Sequence, residues 1–168
     1  DPVENAAFMP WLTGTAFLHS VMIQEKRNML KIWNVVLIII TYGLTIIGTF
    51  LTRSGVVNSV HSFTQSEIGP AFLVFLAVVL VVGFALLFRR IQMLESEHKM
   101  EAVLCRENAF LVQNVIFVGM AFTVLLGTTF PLLAEAIRGT KLSIQAPFFN
   151  TIMAPMGYVL FFLMGIGT

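Results

Sequence analysis

Cysteine is nearly absent from the 168 residues: Cys105 stands alone. A single cysteine makes no internal disulfide and no Cys-rich zinc site. It also makes no Cys-x-x-Cys-His haem attachment site, so the chain is not itself a c-type cytochrome. Charge is scarce as well, at 11% of residues, where soluble domains carry about 25%. So few charges do not cover the surface of a compact globule of this size. The net charge of +1 builds no basic field, which excludes nucleic acid as a partner. No Walker motif is present, and Gly165-x-Gly167 lacks the strand-turn-helix setting of a nucleotide loop. Asp1 is not a start methionine, no basic and apolar leader precedes the first apolar run, and the last run reaches Thr168 without a flanking charge. These ends suggest an internal stretch of a longer membrane protein.

What is abundant is apolar. Hydrophobic residues make up 57% of the chain and mean hydropathy is +0.88, which excludes a disordered chain. A helix needs roughly 20 apolar residues to cross about 30 Å of hydrocarbon. Runs of that length occupy about Ala6–Ile23, Ile32–Leu51, Ile68–Phe88, Phe110–Leu133 and Phe148–Gly167. None alternates polar and apolar residues, as a membrane β-barrel strand must. The fold class expected is all-α, a polytopic transmembrane bundle of about five helices.

Basic residues set its orientation. Lys26, Arg27 and Lys31 lie between the first two spans, and Arg89, Arg90, Lys99 and Arg106 between the third and fourth. The other connections hold only Arg53, and then Arg138 with Lys141. Under the positive-inside rule, Asp1, the Thr52–Glu67 loop and the Pro131–Pro147 loop face outward. The Arg89–Glu107 segment has a broken apolar stripe and a Glu95–Lys99 i,i+4 pair. It reads either as a cytoplasmic helical extension at the membrane interface or as a solvated linker. His98 stands among charged residues and is solvated, and Cys105 falls on the cytoplasmic side.

Two histidines are candidates for chemistry. His19 lies 13 residues after Ala6, about 20 Å along a helix, which puts it inside the membrane toward the cytoplasm. An ionisable group there is costly and suggests function, and neutral imidazole is a good axial ligand for haem iron. The alternative is polar glue between helices. His61 sits in the apolar outward loop with Val57, Val60 and Phe63, and Arg53 lies on the same side. That combination suits a flat apolar ring with an iron and two carboxylates, because arginine pairs well with carboxylates. The alternative is a surface histidine on an interfacial loop. Asp1-Pro2-Val3-Glu4 reads as a helix start, with Asp1 as N-cap, Pro2 at the first helical position and Glu4 as capping-box partner. The functional alternative is that these residues and Trp11 line an outward-facing site at the mouth of the first helix.

The run from Asp1-Pro2-Val3-Glu4-Asn5-Ala6-Ala7-Phe8-Met9-Pro10-Trp11-Leu12 through Gly14-Thr15-Ala16 and His19-Ser20 closely resembles the CcmF family of cytochrome c-type biogenesis proteins. These are haem lyase subunits of the bacterial cytochrome c maturation system, with a close relative serving nitrite reductase assembly. The resemblance continues through Gly48–Val56 and Ser59–Phe63, and resumes at Arg106–Leu111, Gly127–Pro131 and Pro147–Asn150. It implies that Asp1, Pro2, Glu4, Asn5 and Trp11 belong to the tail of a tryptophan-rich haem-handling region, the WWD domain. It implies that His19 ligates a resident b-type haem (haem b) and that His61 ligates the haem delivered for attachment; Arg53 is the candidate propionate contact from its own charge and its place on the side of His61. The partner histidines and the tryptophan pair would lie before Asp1 and after Thr168. Cys105 and Gln145 depart from the family's usual serine and glycine, and neither touches a ligand.

The resemblance further implies two parts: residues 1–66 as the end of the haem-handling domain with two spans, and residues 67–168 as the start of the C-terminal membrane domain with three. The protein would act in the bacterial inner membrane as a holocytochrome c synthase, its active side toward the periplasm, this stretch alone being inactive. Its partners would be a CcmE-type haem chaperone, a CcmH-type apocytochrome-handling subunit and apocytochrome c. The rivals are an electron-transfer cytochrome b subunit, in which His19 matters and His61 does not, and a haem transporter or export channel with a pore through the bundle.

Overall fold

The computed structural model describes residues 1–54, 68–94, 106–139 and 144–167. They form α1 (Pro2–Arg27), α2 (Lys31–Arg53), α3 (Gly69–Arg90), α4 (Arg106–Arg138) and α5 (Ala146–Gly167), with a 3-10 turn over Ile91–Leu94 after α3. Each of the five is long and apolar enough to cross a membrane, as the apolar runs predict. Threonine hydroxyls inside them fold back onto their own helix. Thr15, Thr123, Thr128, Thr129 and Thr151 each donate to the carbonyl four residues earlier, at 2.7–2.9 Å. In hydrocarbon that satisfies a hydroxyl which water cannot reach.

The helices are arranged in the order α3, α2, α1, α4, α5, with α1 in the centre. Adjacent helices run antiparallel, because residues near the start of one meet residues near the end of the next. Two apolar clusters fill the seams of α1. One joins Ala6 and Met9 to Leu44, Leu51 and Val124; the other joins Leu12 and Ala16 to Leu37, Phe117, Ala121 and Leu160. The flanking helices bury little: 6% of the most apolar stretch of α3 and of α5, against 33–39% in α1, α2 and α4. Their exposed Val74, Val81, Phe88, Tyr158, Phe161 and Phe162 are side chains suited to lipid.

Small residues set how closely the helices approach. A methyl group built on Gly48 would stand 2.9 Å from the carbonyl oxygen of Ala6. That carbonyl is the one which Pro10, lacking an N–H, leaves without a helical partner. Gly48→Val is therefore expected to force α1 and α2 apart. It should lower stability in detergent by about 1–3 kcal/mol, the usual cost of overpacking, measured as the unfolding midpoint in denaturant.

Two boundaries differ from expectation. The connection from α1 to α2 is only three residues, Asn28, Met29 and Leu30, with Asn28 (φ 56°) and Leu30 (φ 64°) left-handed; Lys26 and Arg27 belong to the last turn of α1. The outward loop expected from Pro131 starts later, because α4 passes through Pro131 to Arg138 and stops at the left-handed Gly139, whose N–H donates to Glu135. A mid-helix proline costs one backbone hydrogen bond. Here the last turns are held anyway, since Leu132 packs on the outer cluster and Ala134 is buried. The Glu95–Lys99 pair, His98, Cys105 and Lys141 lie outside the described residues.

Candidate functional site

The N-terminal end of α1 starts as its sequence dictates. Asp1 is the N-cap, its carboxylate accepting from the Val3 amide at 2.8 Å, and Pro2 occupies the first turn. Glu4 is exposed, and one carboxylate oxygen stands 3.6 Å from the Asp1 nitrogen, the capping-box approach without a hydrogen bond. Asn5 does something its motif does not reveal. Its amide donates to Thr128 Oγ at 3.1 Å and ties α1 to α4. Phe8 and Trp11 stack, with ring centroids 5.7 Å apart and planes 15° from parallel. Trp11 remains 59% exposed, so the outer third of α1 presents an aromatic surface. Arg53 ends α2 at this same end of the bundle and is exposed. His61 lies outside the described residues, in the stretch that links the outer ends of α2 and α3.

His19 is in the C-terminal half of α1, half-buried on the side facing α4. Its ring is flanked by Phe110 and Phe117, with centroids at 5.9 and 5.6 Å and planes tilted by 58° and 56°. One ring nitrogen, Nδ1, is buried and has no hydrogen-bond partner. Nδ1 makes no direct bond to the neighbouring helix. Instead the imidazole sits between two phenyl rings, an apolar setting that fits a haem ligand. Among the described residues no three His, Cys, Asp or Glu side chains come together to hold a bare metal ion.

Polar residues that attracted no notice in the sequence accompany it. Ser20, Asn34, Gln113 and Asn114 are buried, with Ser20 and Asn114 at 0% exposure. Ser20 Oγ, Trp33 Nε1, Asn34 Oδ1 and both polar atoms of the Asn114 carboxamide lack partners. Leaving a buried polar group unpaired costs about 1–3 kcal/mol, so five such atoms on α1, α2 and α4 call for a physical reason. The available signal was Gln113-Asn114, the one pair of carboxamides in the Phe110–Leu133 run, whose other polar side chains are threonines.

Five apolar helices, with polar side chains held in the seams and a histidine at membrane depth, define a polytopic helical membrane protein. Residues 1–57 match the family model described as "Cytochrome C assembly protein". The chain is 48% identical over 151 residues to the cytochrome c-type biogenesis protein CycK of Rhizobium meliloti, covering 89% of this chain and 22% of that protein. It is 42% identical over 168 residues to CcmF of Pseudomonas aeruginosa, covering 99% of this chain and 25% of that one. A solved structure, "Cytochrome c Heme Lyase CcmF", superposes with a TM-score of 0.73 at 36% identity, over 99% of this chain and 23% of that one. The chain belongs to the CcmF family of cytochrome c-type biogenesis proteins. It spans about a quarter of the length of the curated relatives it matches.

Proposed function

We propose that the protein carrying this chain is the haem lyase subunit of a bacterial cytochrome c maturation system. The observation that carries this reading is the likeness, over 99% of the chain, to a solved protein named as a cytochrome c haem lyase. The protein would take haem from a CcmE-type chaperone at the outer face of the inner membrane. A CcmH-type subunit would present the apocytochrome. In the reaction a substrate thiol adds across a haem vinyl group: sulfur bonds to one carbon, the thiol proton passes to the other, and no group leaves. The thiols come from the Cys-x-x-Cys-His of the apocytochrome, so the lyase contributes positioning of ring and peptide.

Each residue then has a part. His61 would be an axial ligand to the delivered haem, and Arg53 would pair with a propionate at the same outer end. Asp1, Pro2, Glu4 and Asn5 fix the start of α1, so that Trp11 and Phe8 are held at the rim as an aromatic edge for the haem-handling region. His19 would be an axial ligand to a resident haem b, between the Phe110 and Phe117 rings. A haem held there would supply one-electron chemistry. Residues 1–66 would close the haem-handling domain and residues 67–168 open the C-terminal membrane domain; the family-model match, residues 1–57, falls within the first.

The orientation is tested by labelling. Cysteines placed near Ser59 and Lys141 in the intact protein should react with an impermeant reagent from the periplasm, and those near Lys26 and Lys99 only after the membrane is opened. The positive-inside asymmetry motivates this. Labelling of Ser59 from the cytoplasmic side alone would reject both the orientation and the placing of His61 at the outer face.

A further inference from the structure

The unpaired polar atoms of the bundle share one depth. Register between α1 and α4 is set by the bond from Asn5 to Thr128. Fourteen residues onward from Asn5 is His19, and fourteen back from Thr128 is Asn114. Two antiparallel helices of equal rise therefore bring His19 and Asn114 level. The rings touching His19 agree, since Phe110 and Phe117 lie one turn to either side of Asn114. Register between α1 and α2 is set by Thr41, which donates to Thr13 at 2.8 Å. Seven residues onward from Thr13 is Ser20, and seven back from Thr41 is Asn34. His19, Ser20, Asn34 and Asn114 thus form one layer across three helices, with Trp33 adjoining.

Every buried side-chain polar atom without a partner, among the described residues, comes from this layer: His19 Nδ1, Ser20 Oγ, Trp33 Nε1, Asn34 Oδ1, Asn114 Nδ2 and Asn114 Oδ1. Elsewhere in the seams polar groups pair directly, as Asn5 does with Thr128 and Thr41 with Thr13; within the layer the Asn34 amide nitrogen donates to Gln24 Oε1 at 2.6 Å, and its oxygen is left unpaired. The unpaired set holds both donors and acceptors, so mutual repulsion does not explain why its members stay apart. Matched groups from three helices that do not touch are what buried water bridges, because each molecule takes two to four such partners.

We infer that this layer holds ordered water and that Asn114, acting through it, is a positioning residue for His19. The inference rests on His19 being a haem ligand. An imidazole that offers Nε2 to a metal carries its proton on Nδ1, and that proton needs an acceptor to fix the tautomer and the ring plane. The walls around Nδ1 are the Phe110 and Phe117 rings, which accept only weakly. The Asn114 carboxamide oxygen, level with His19 on the facing helix, supplies the acceptor through the layer's water. Ser20 shares the same water from the α2 side.

The test uses the intact protein, purified with its haem. Asn114→Leu keeps side-chain bulk and removes the acceptor. Retention of the b-type haem against an apo-globin haem acceptor should fall about 10–100-fold. The midpoint potential of the remaining haem should rise, because an imidazole without its hydrogen bond donates less strongly to ferric iron. Asn114→Asp restores an acceptor, so retention should recover and the potential should drop below that of the leucine variant. Ser20→Ala, which deletes one oxygen, should shift the potential the same way by less, and it serves if Asn114→Leu does not accumulate. Unchanged retention and potential in Asn114→Leu, or an unchanged potential in Ser20→Ala where the leucine variant is missing, would overturn the role of the layer. His19→Ala is measured alongside: an unaltered haem spectrum there would overturn the ligand assignment itself, whatever Asn114 does.

Discussion

His61→Ala should abolish covalent cytochrome c formation, or cut it by about tenfold or more, while the resident haem b stays at its normal level. The separation of these effects follows from chain geometry. His19 lies seventeen residues along α1 from Pro2, about 26 Å from the outer end at 1.5 Å per residue. His61 is eight residues from Arg53 and eight from Gly69, where α2 ends and α3 begins. To reach His19 it would need both arms extended at about 3.3 Å per residue, with unpaired backbone in hydrocarbon. As haem ligands the two histidines would therefore serve different irons. Losing one axial ligand need not release the delivered haem, because apolar burial of the ring and its propionate contacts persist. Haem staining of a co-expressed reporter cytochrome, beside a spectrum of the purified variant, measures both effects. Normal maturation of the reporter at normal protein abundance would remove His61 from the site.

His19→Ala should have the opposite spectral result. The b-type Soret and alpha bands should be lost, or haem content should fall about tenfold or more, with the protein still in the membrane. The packing of α1 argues that the helix itself survives. His19 is half-buried, whereas the seams are filled by Met9, Leu12 and Ala16, all at or near full burial. Removing the imidazole leaves a gap between Phe110 and Phe117 and breaks no direct hydrogen bond from the buried Nδ1 to another helix. His19→Gly opens the same gap without a side chain, so added imidazole should restore part of the spectrum. A full-strength spectrum in His19→Ala would return this residue to a packing role.

Much of this architecture is legible in the order of the residues, for a reason peculiar to membranes. Hydrocarbon demands that every span be a helix with its backbone paired, so long apolar runs specify helices without help from tertiary contacts. The α1 start could be read for the same local reason, since Asp1 and Pro2 act within one turn. What could not be read is pairing. Asn5 and Thr128 are separated by most of the chain, and nothing near either announces their bond. Pro131 looked like a loop because its local cost is plain, whereas the packing that offsets it, Leu132 and Ala134 against α1 and its neighbours, is a property of the assembled bundle. Asn114 is no more legible: an amide in an apolar run has no meaning until a facing helix places His19 at its level. His19 was conspicuous at once, because an ionisable group at membrane depth is costly whatever its neighbours.

The central claim, that this chain belongs to a working haem lyase and not to an electron-transfer subunit or a haem channel, is tested most directly by complementation. The intact protein is expressed in a bacterium lacking its own haem lyase subunit but retaining the chaperone, together with a reporter c-type cytochrome. Haem that stays on the reporter through a denaturing gel is covalently attached. A haem-staining reporter band is expected with the unaltered protein and none with His61→Ala. A reporter that remains without covalent haem, while the protein is abundant and its b-type spectrum intact, would contradict the claim and leave electron transfer as the function.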